Sequence, residues 1–423
     1  MPFIVYLTCF SQVLSMAGFA AWPIYLIDLQ NLWSLTNLEA GWISGAFFFG
    51  YIFATPFLVG LTDSYDSKKV YFISSLIGSI GLILFALFAN GFYSALLMWS
   101  IVGAGFAGTY MPGLQILNER LDAKGKEKYV SVYTAFFGLG TATSFFILGI
   151  LKEYNLDWSY SFIVVGFFQL LSGIPIILFS GPRIEIKPYI KFSGIFKILK
   201  SIYNVFQNKK AMPYIIGYGG HTYELFGYRS WTFACVVFLS STYNVYLSNI
   251  FIANFLAIIG LTGIFSSIIG AQYCIGKNRP LIISYMGLIC FFGSIITAFS
   301  FWINLYLALL FIFIYNILII MDSGSLTTGT VLNGSSQDRG SRLALHSIIG
   351  FLGGALGGPI VGLALDSFGG ENSKLSWSVG FVALGLGSLL SSYVLKKNSK
   401  YKNIKSFYHF LMKKIIQKRQ ILG

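Results

Sequence analysis

The sequence predicts an all-α membrane protein with twelve transmembrane helices in two six-helix, pseudo-symmetric halves. Three observations lead there. The 423 residues are 56% hydrophobic and 10% charged with a mean hydropathy of +0.72, too little charge to cover a soluble surface. Apolar stretches of about 20 residues, the length that crosses a bilayer as a helix, recur along almost the whole chain. Of the 29 Lys and Arg, 26 fall in segments 61–69, 118–129, 181–211, 274–279, 331–342 and 396–423, which alternating spans put on one side. Only Lys152 and Lys374 fall on the other side, and Arg229 is intramembrane.

Taken in order, the spans of the first half are 4–27, 39–60, 70–90, 94–117, 130–151 and 158–180. Those of the second are 212–239, 247–273, 280–301, 304–330, 342–365 and 375–395. The divisions are therefore an N-terminal half (1–180), a linker (181–211), a C-terminal half (212–395) and a basic tail (396–423). Both termini are expected in the cytoplasm, with no cleaved signal. The net charge of +14 then reflects topology and contact with anionic lipid headgroups, not nucleic-acid binding. In the linker, Ile195, Ile198, Ile202 and Val205 form an apolar stripe opposite Lys197 and Lys200. In the tail, Ile404, Phe407, Leu411 and Ile415 do so beside Lys405 and Lys414, and both stripes suit the membrane interface. The 46 glycines suit close helix packing. Cys9, Cys235, Cys274 and Cys290 have neither metal-ligand spacing nor a disulfide framework and read as small packing residues.

The halves look like copies. Gly18-Phe-Ala-Ala-Trp22 in span one aligns with Gly227-Tyr-Arg-Ser-Trp231 in span seven, Gly60 with Gly270, and Leu117-Asn118 with Leu332-Asn333. Parallel repeats of this kind put a site at the midplane between the halves.

The loop after span two reads Gly60-Leu-Thr-Asp63-Ser-Tyr-Asp66-Ser-Lys68-Lys69. It resembles the cytoplasmic signature of the major facilitator superfamily: a glycine, an acid three residues on, then a basic pair after a tight turn. With twelve spans, a basic central loop and two repeats, the resemblance covers essentially the whole chain. It implies alternating access, with Gly60, Asp63, Lys68, Lys69 and Arg120 as gating residues and Asp63 paired to Arg120. Asp66 stands where the family usually has a glycine. The second copy, Gly270 to Gly276-Lys-Asn-Arg279, has Tyr273 in place of the acid, which suggests a latch on one half only. Span eleven carries Gly350, Gly354, Gly358 and Gly362 with Pro359 among them, a glycine stripe for close packing. Span five lacks the Gly-Pro signature of the family's proton-coupled drug antiporters, and span four lacks the intramembrane arginine that many proton-coupled members carry; both departures argue against a drug/proton antiporter.

The candidate site lies in Met212–Leu239. Charges in hydrocarbon cost several kcal/mol and usually face a bundle interior or a wet cavity. His221, Glu224 and Tyr228 share one helix face at spacing i, i+3, i+7. Arg229 sits roughly 80° from His221. Asp322 in span ten and His221 lie at similar depth, about 12–13 Å from the cytoplasmic end at 1.5 Å per residue, so the two are expected to pair. A buried His–acid pair can hold a proton near neutral pH. Arg229 offers a fixed charge to an anion. Trp22, Tyr25 and Tyr110 are expected to complete the cavity from the first half. Asp28, Glu39, His346 and His409 sit near the boundaries and are set aside. The competing reading makes the charged groups purely structural locks between helices.

These residues describe a secondary transporter of a small polar organic solute, with an anion and proton coupling favoured. No cofactor or metal site is expected, and no enzymatic nucleophile–base spacing occurs. An uncoupled facilitator or drug exporter of the same fold is the alternative, with a transporter-like receptor behind it. The expected setting is a plasma membrane, bacterial inner membrane in particular, with the protein a monomer whose partners are solute, protons and lipids.

Overall fold

The computed structural model describes residues 1–62, 65–121, 126–182, 203–334 and 339–421, and among them every regular element is an α-helix. The first half comprises α1 (Phe3–Ser15), α2 (Ala21–Leu32), α3 (Asn37–Leu61), α4 (Ser67–Phe88), α5 (Phe92–Arg120), α6 (Lys126–Glu153) and α7 (Trp158–Phe179). The second comprises α8 (Met212–Thr242), α9 (Asn249–Tyr273), α10 (Arg279–Ser300), α11 (Leu305–Met321), α12 (Ser323–Leu332), α13 (Arg339–Ser367) and α14 (Lys374–Ile421). Short polar side chains start the helices. Thr36 and Glu39 form a capping box on α3, while Asp66, Asp157, Ser248 and Asn304 accept from first-turn N–H groups of α4, α7, α9 and α11.

Ten helices among the described residues are long and apolar enough to cross a membrane, counting α11 and α12 as one. The other two of the twelve spans are the α1–α2 pair and α8, a 31-residue helix laden with polar groups. Two spans expected to be continuous are broken. The first breaks at residues 16–20, where Ser144 of α6 accepts from the Ala20 N–H (2.9 Å) and donates to the Ala17 carbonyl (2.7 Å). A break inside a membrane persists only where a neighbour satisfies the freed backbone, and Ser144 does so. Span ten breaks at Asp322, between α11 and α12. There the Ser267 hydroxyl accepts from the Gly324 N–H, and Ser325 donates to the Gly270 carbonyl. Gly270 makes that approach possible, since an added Cβ would sit 1.8 Å from the Met321 carbonyl oxygen.

The halves meet chiefly along α3 against α13 and α6 against α9, with α2 touching α8. The α3–α13 seam is backbone-close from its start. Asn37, Gly41 and Gly45 oppose Gly362, Gly358 and Ala355, and Tyr51 reaches the ring of Phe351 at 3.9 Å. This is the end away from the basic loops. At the basic end of α3, a Cβ added to Gly60 would meet nothing within 4 Å. The aligned glycines thus differ: Gly270 is pressed onto a neighbour and Gly60 is not. The linker stripe expected over 195–206 falls mostly outside the described residues, and the tail backbone is a continuation of α14.

Candidate functional site

The break in span ten turns Asp322 toward α8. His221 Nδ1 lies 2.8 Å from Asp322 Oδ1, with both residues buried, at an angle too oblique for a good hydrogen bond. Tyr218, one turn earlier, stacks on His221 (5.5 Å between ring centres) and on His346 of α13 (3.8 Å). His346 in turn meets Thr330 through Nδ1 (3.1 Å) and Thr327 through Nε2 (3.3 Å), both on α12. The sequence set His346 aside as a boundary residue. It enters the cluster because Gly219, Gly350 and Gly353 let α13 lie directly on α8, a contact that no single-helix pattern reveals.

His221, Glu224 and Tyr228 all face α11–α12, but at different depths of the second half. Tyr228 donates to the Ile312 carbonyl at 2.9 Å. Glu224 Oε1 accepts from Tyr315 (2.6 Å), Cys290 (3.4 Å) and Ser388 (3.4 Å), on α11, α10 and α14. Glu224 is therefore enclosed within the second half, with partners on three of its helices. Buried carboxyls survive where donors surround them, and α8 supplies the group while three neighbours supply the donors.

Arg229 looks the other way, toward the seam. It borders a narrow pocket where α6 of the first half meets α8, α9 and α11, alongside Thr141, Phe145, Tyr228, Thr232 and Asn316. Its Nη1 has no hydrogen-bond partner among the described residues, and its guanidinium carbon lies 5.8 Å from the centre of the Phe226 ring. A guanidinium with unused donors at an inter-half pocket is suited to hold an anion.

The three aromatics expected to complete the cavity are placed as follows. Trp22 is fully buried and donates to the Ala40 carbonyl, and Tyr25 is bonded to Ser161 at 2.6 Å, so both are packing residues of the first half. Tyr110 is half-buried, stacked between Phe106 and Tyr133. Aromatics that bridge the halves include Phe48 and Tyr51 of α3, and Phe19 between α1 and α2, with Phe226 of α8 and Phe351 of α13; Phe48 and Phe226 lie 4.3 Å apart. In a chain with 41 phenylalanines, sequence alone does not single them out.

At the basic end, Arg120 closes α5 onto the start of α4. Its Nη2 lies 2.5 Å from Asp66 Oδ1, its Nη1 3.0 Å from Glu119, and its Nε donates to the Gly181 carbonyl, which Lys68 also reaches. Asp66 also caps α4 through the Lys68 N–H. Burial alone would raise the Asp66 carboxyl, but the bonds and charges of Arg120 and Lys68 outweigh it and leave the group below its ordinary value. Asp63, the expected partner of Arg120, lies outside the described residues. Lys69 is exposed. The Arg120 cluster ties together α4, α5 and the chain after α7, all in the first half. In the second copy Lys277 sits over the ring of Tyr273 at 3.5 Å, a cation–π contact where an ion pair would need an acid.

The glycine stripe of α13 faces two partners. Gly350 and Gly354 lie against Tyr218 and Phe226 of α8, and Gly358 and Gly362 against Gly41 and Asn37 of α3, with Pro359 beside Gly41.

Known proteins place this architecture. The chain is 25% identical over 254 residues to an uncharacterized transporter of Buchnera aphidicola, covering 58% of this chain and 57% of that protein. It is 28% identical over 145 residues to the niacin transporter NiaP of Acinetobacter baylyi, covering 33% and 32%. The chain thus spans just over half and about a third of the length of these relatives. Among solved structures, a bacterial homologue of the human lysosomal transporter Spinster superposes with a TM-score of 0.78 at 14% identity, over 94% of this chain and 96% of that one. The D-xylose–proton symporter superposes at 0.70 and 15% identity, over 93% and 96%. At such identities the likeness is one of fold. The model of the Major Facilitator Superfamily matches residues 8–333, and with twelve spans in two halves the chain belongs to that superfamily of membrane transporters.

Proposed function

We propose that the protein is a proton-coupled carrier of a small organic anion, working by alternating access between its two halves. The observation that carries this reading is the buried His221–Asp322 contact at the break in span ten, with the unsatisfied Arg229 on the same helix facing the seam. His221 and Asp322 hold the proton, and Arg229 holds the carboxylate or other anionic group of the solute. Taking the proton at His221–Asp322 beside an already cationic Arg229 favours anion entry, so the two cargoes bind as a neutral pair. Glu224, enclosed by its three donors, is structural in this scheme.

The basic end is the cytoplasmic end, with both termini there. The seam is then closed toward the outside. Niacin is the first solute to try, because one relative bears that name and nicotinate is a small carboxylate matching the charge of Arg229.

The test is purified protein in liposomes with an internal pH dye, nicotinate and other small acids outside, and wild type beside Asp322→Asn. Solute-driven acidification should vanish in Asp322→Asn, while solute exchange down no gradient persists. Uptake without proton movement in the wild type would instead make the protein a facilitator.

A further inference from the structure

The two seams between the halves end in the same hydrogen-bond arrangement. Helix α3 begins Thr36-Asn37-Leu38-Glu39, and the Thr36 hydroxyl takes the Glu39 N–H. The two N–H groups ahead of it go to the other half: Asp366, at the end of α13, accepts from the Asn37 N–H (3.1 Å) and the Leu38 N–H (2.8 Å). Helix α9 begins Ser248-Asn249-Ile250-Phe251, and the Ser248 hydroxyl takes the Phe251 N–H. Here too the N–H ahead of it goes to the other half, from Ile250 to Glu153 at the end of α6 (3.2 Å). Leu38 and Ile250 correspond, each giving its N–H to the acid across the seam, and Asp366 takes the Asn37 N–H as well. A hydroxyl–Asn–aliphatic start recurs in each half, and each start is completed by the last-turn acid of the helix facing it across the seam.

We propose that Asp366 and Glu153 form a reciprocal pair of inter-half helix caps that latches the transporter shut at the end away from the basic loops. Each latch consists of an acid from one half and first-turn N–H groups of the other, two for Asp366 and one for Glu153. A carboxylate is well suited to this place, since helix N-termini carry partial positive charge and first-turn N–H groups have no partner within the helix. The side chain of Asn37 adds a third bond to Asp366 (2.8 Å), and Lys152, paired with Asp28 of α2, braces the end of α6 beside Glu153. When the halves rock to open this end, both starts lose their second cap together while keeping Thr36 and Ser248. Each helix survives the motion, and the latch alone is spent. The inference rests on the alternating-access reading but not on the solute or the proton.

The experiment reads the seam directly. Ser44 is buried on α3 where it meets Gly358, so Ser44→Cys is a nearly isosteric reporter. A membrane-impermeant maleimide is applied to the side away from the basic loops, with the parent lacking Ser44→Cys as the blank for the four native cysteines. Asp366→Asn and Glu153→Gln should each raise the labelling rate about threefold and together about tenfold, since each amide keeps an oxygen acceptor and forfeits only the part of the bond that the charge supplies. Thr36→Ala weakens the same helix start without touching the seam and should leave labelling unchanged. An unchanged rate in both single variants, or an equal rise in Thr36→Ala, would overturn the latch. Neither outcome depends on whether nicotinate is carried.

Discussion

Replacing Gly45 by alanine adds one methyl group where the backbones of the two halves cross closely. The new Cβ would stand 2.3 Å from the Ala355 carbonyl oxygen, with the Ala355 carbonyl carbon at 3.2 Å. Backbone cannot rotate away, so α3 and α13 must part by about 1 Å to restore van der Waals contact. If they pivot at the Tyr51–Phe351 contact, Gly45 lies about 9 Å from the pivot and Asn37 about 21 Å, at 1.5 Å per residue. A 1 Å shift at Gly45 then becomes roughly 2 Å at Asn37, enough to break the bonds from Asn37 and Leu38 to Asp366. Gly103→Ala is the matched control. Its Cβ would stand 1.8 Å from the Phe47 carbonyl oxygen, but α5 and α3 belong to one half and have no hinge between them. That clash must be absorbed as strain of about 1–3 kcal/mol or more. The assay is thermal unfolding in detergent combined with maleimide labelling of a cysteine at position 44. Gly103→Ala should lower Tm by several degrees and leave labelling unchanged, whereas Gly45→Ala should hold Tm within about 2 °C and raise labelling several-fold. Equal losses of Tm with no gain in labelling for Gly45→Ala would mean that the α3–α13 seam is fixed packing, and the alternating-access reading would fail at that seam.

Arg229→Gln should abolish measurable uptake of the anion, and Arg229→Lys should weaken it about tenfold by keeping charge but losing the fork of donors; solute titration of uptake in liposomes checks both. Tyr315→Phe removes the shortest donor to Glu224 and should cost about 1–2 kcal/mol of stability without altering proton stoichiometry, so a changed stoichiometry would return Glu224 to the coupling site. Asp66→Ala should destabilise the first half by about 1 kcal/mol through the lost cap of α4, with Arg120 left short of an acceptor, measured as a lower Tm. Because the folded Asp66 carboxyl lies below its ordinary value, its contribution is fully present above pH of about 4 and is lost only as pH falls through the lowered value. Wild type and Asp66→Ala should therefore differ in Tm at pH 7 and converge in strong acid.

What the sequence made legible and what it did not divide by range. Twelve spans followed from hydropathy, because each span reports its own transfer free energy without help from its neighbours. The His221–Asp322 contact followed from depth, since both residues sit at known distances from span ends and the bilayer fixes those ends. Direction around a helix was harder. His221, Glu224 and Tyr228 do share a face, but whether that face looks into one half or across the seam depends on which helices surround it, and Glu224 looks inward. The surroundings of Trp22 and Tyr25 were hidden for the same reason, since an aromatic on a buried face reads alike whether it meets a cavity or, as here, Ala40 of α3 and Ser161 of α7. The break at residues 16–20 has a sequence mark in Pro23, which offers no N–H and whose ring would clash with the residue 19 carbonyl in a continuous helix, but the break at Asp322 has no proline near it. Both persist because Ser144 and Ser267, distant in sequence, satisfy the freed backbone, which only the folded neighbours reveal. The paired starts Thr36-Asn37-Leu38 and Ser248-Asn249-Ile250 are not singled out by sequence alone. Their partners Asp366 and Glu153 stand at the ends of helices that face them only once the two halves have closed on each other.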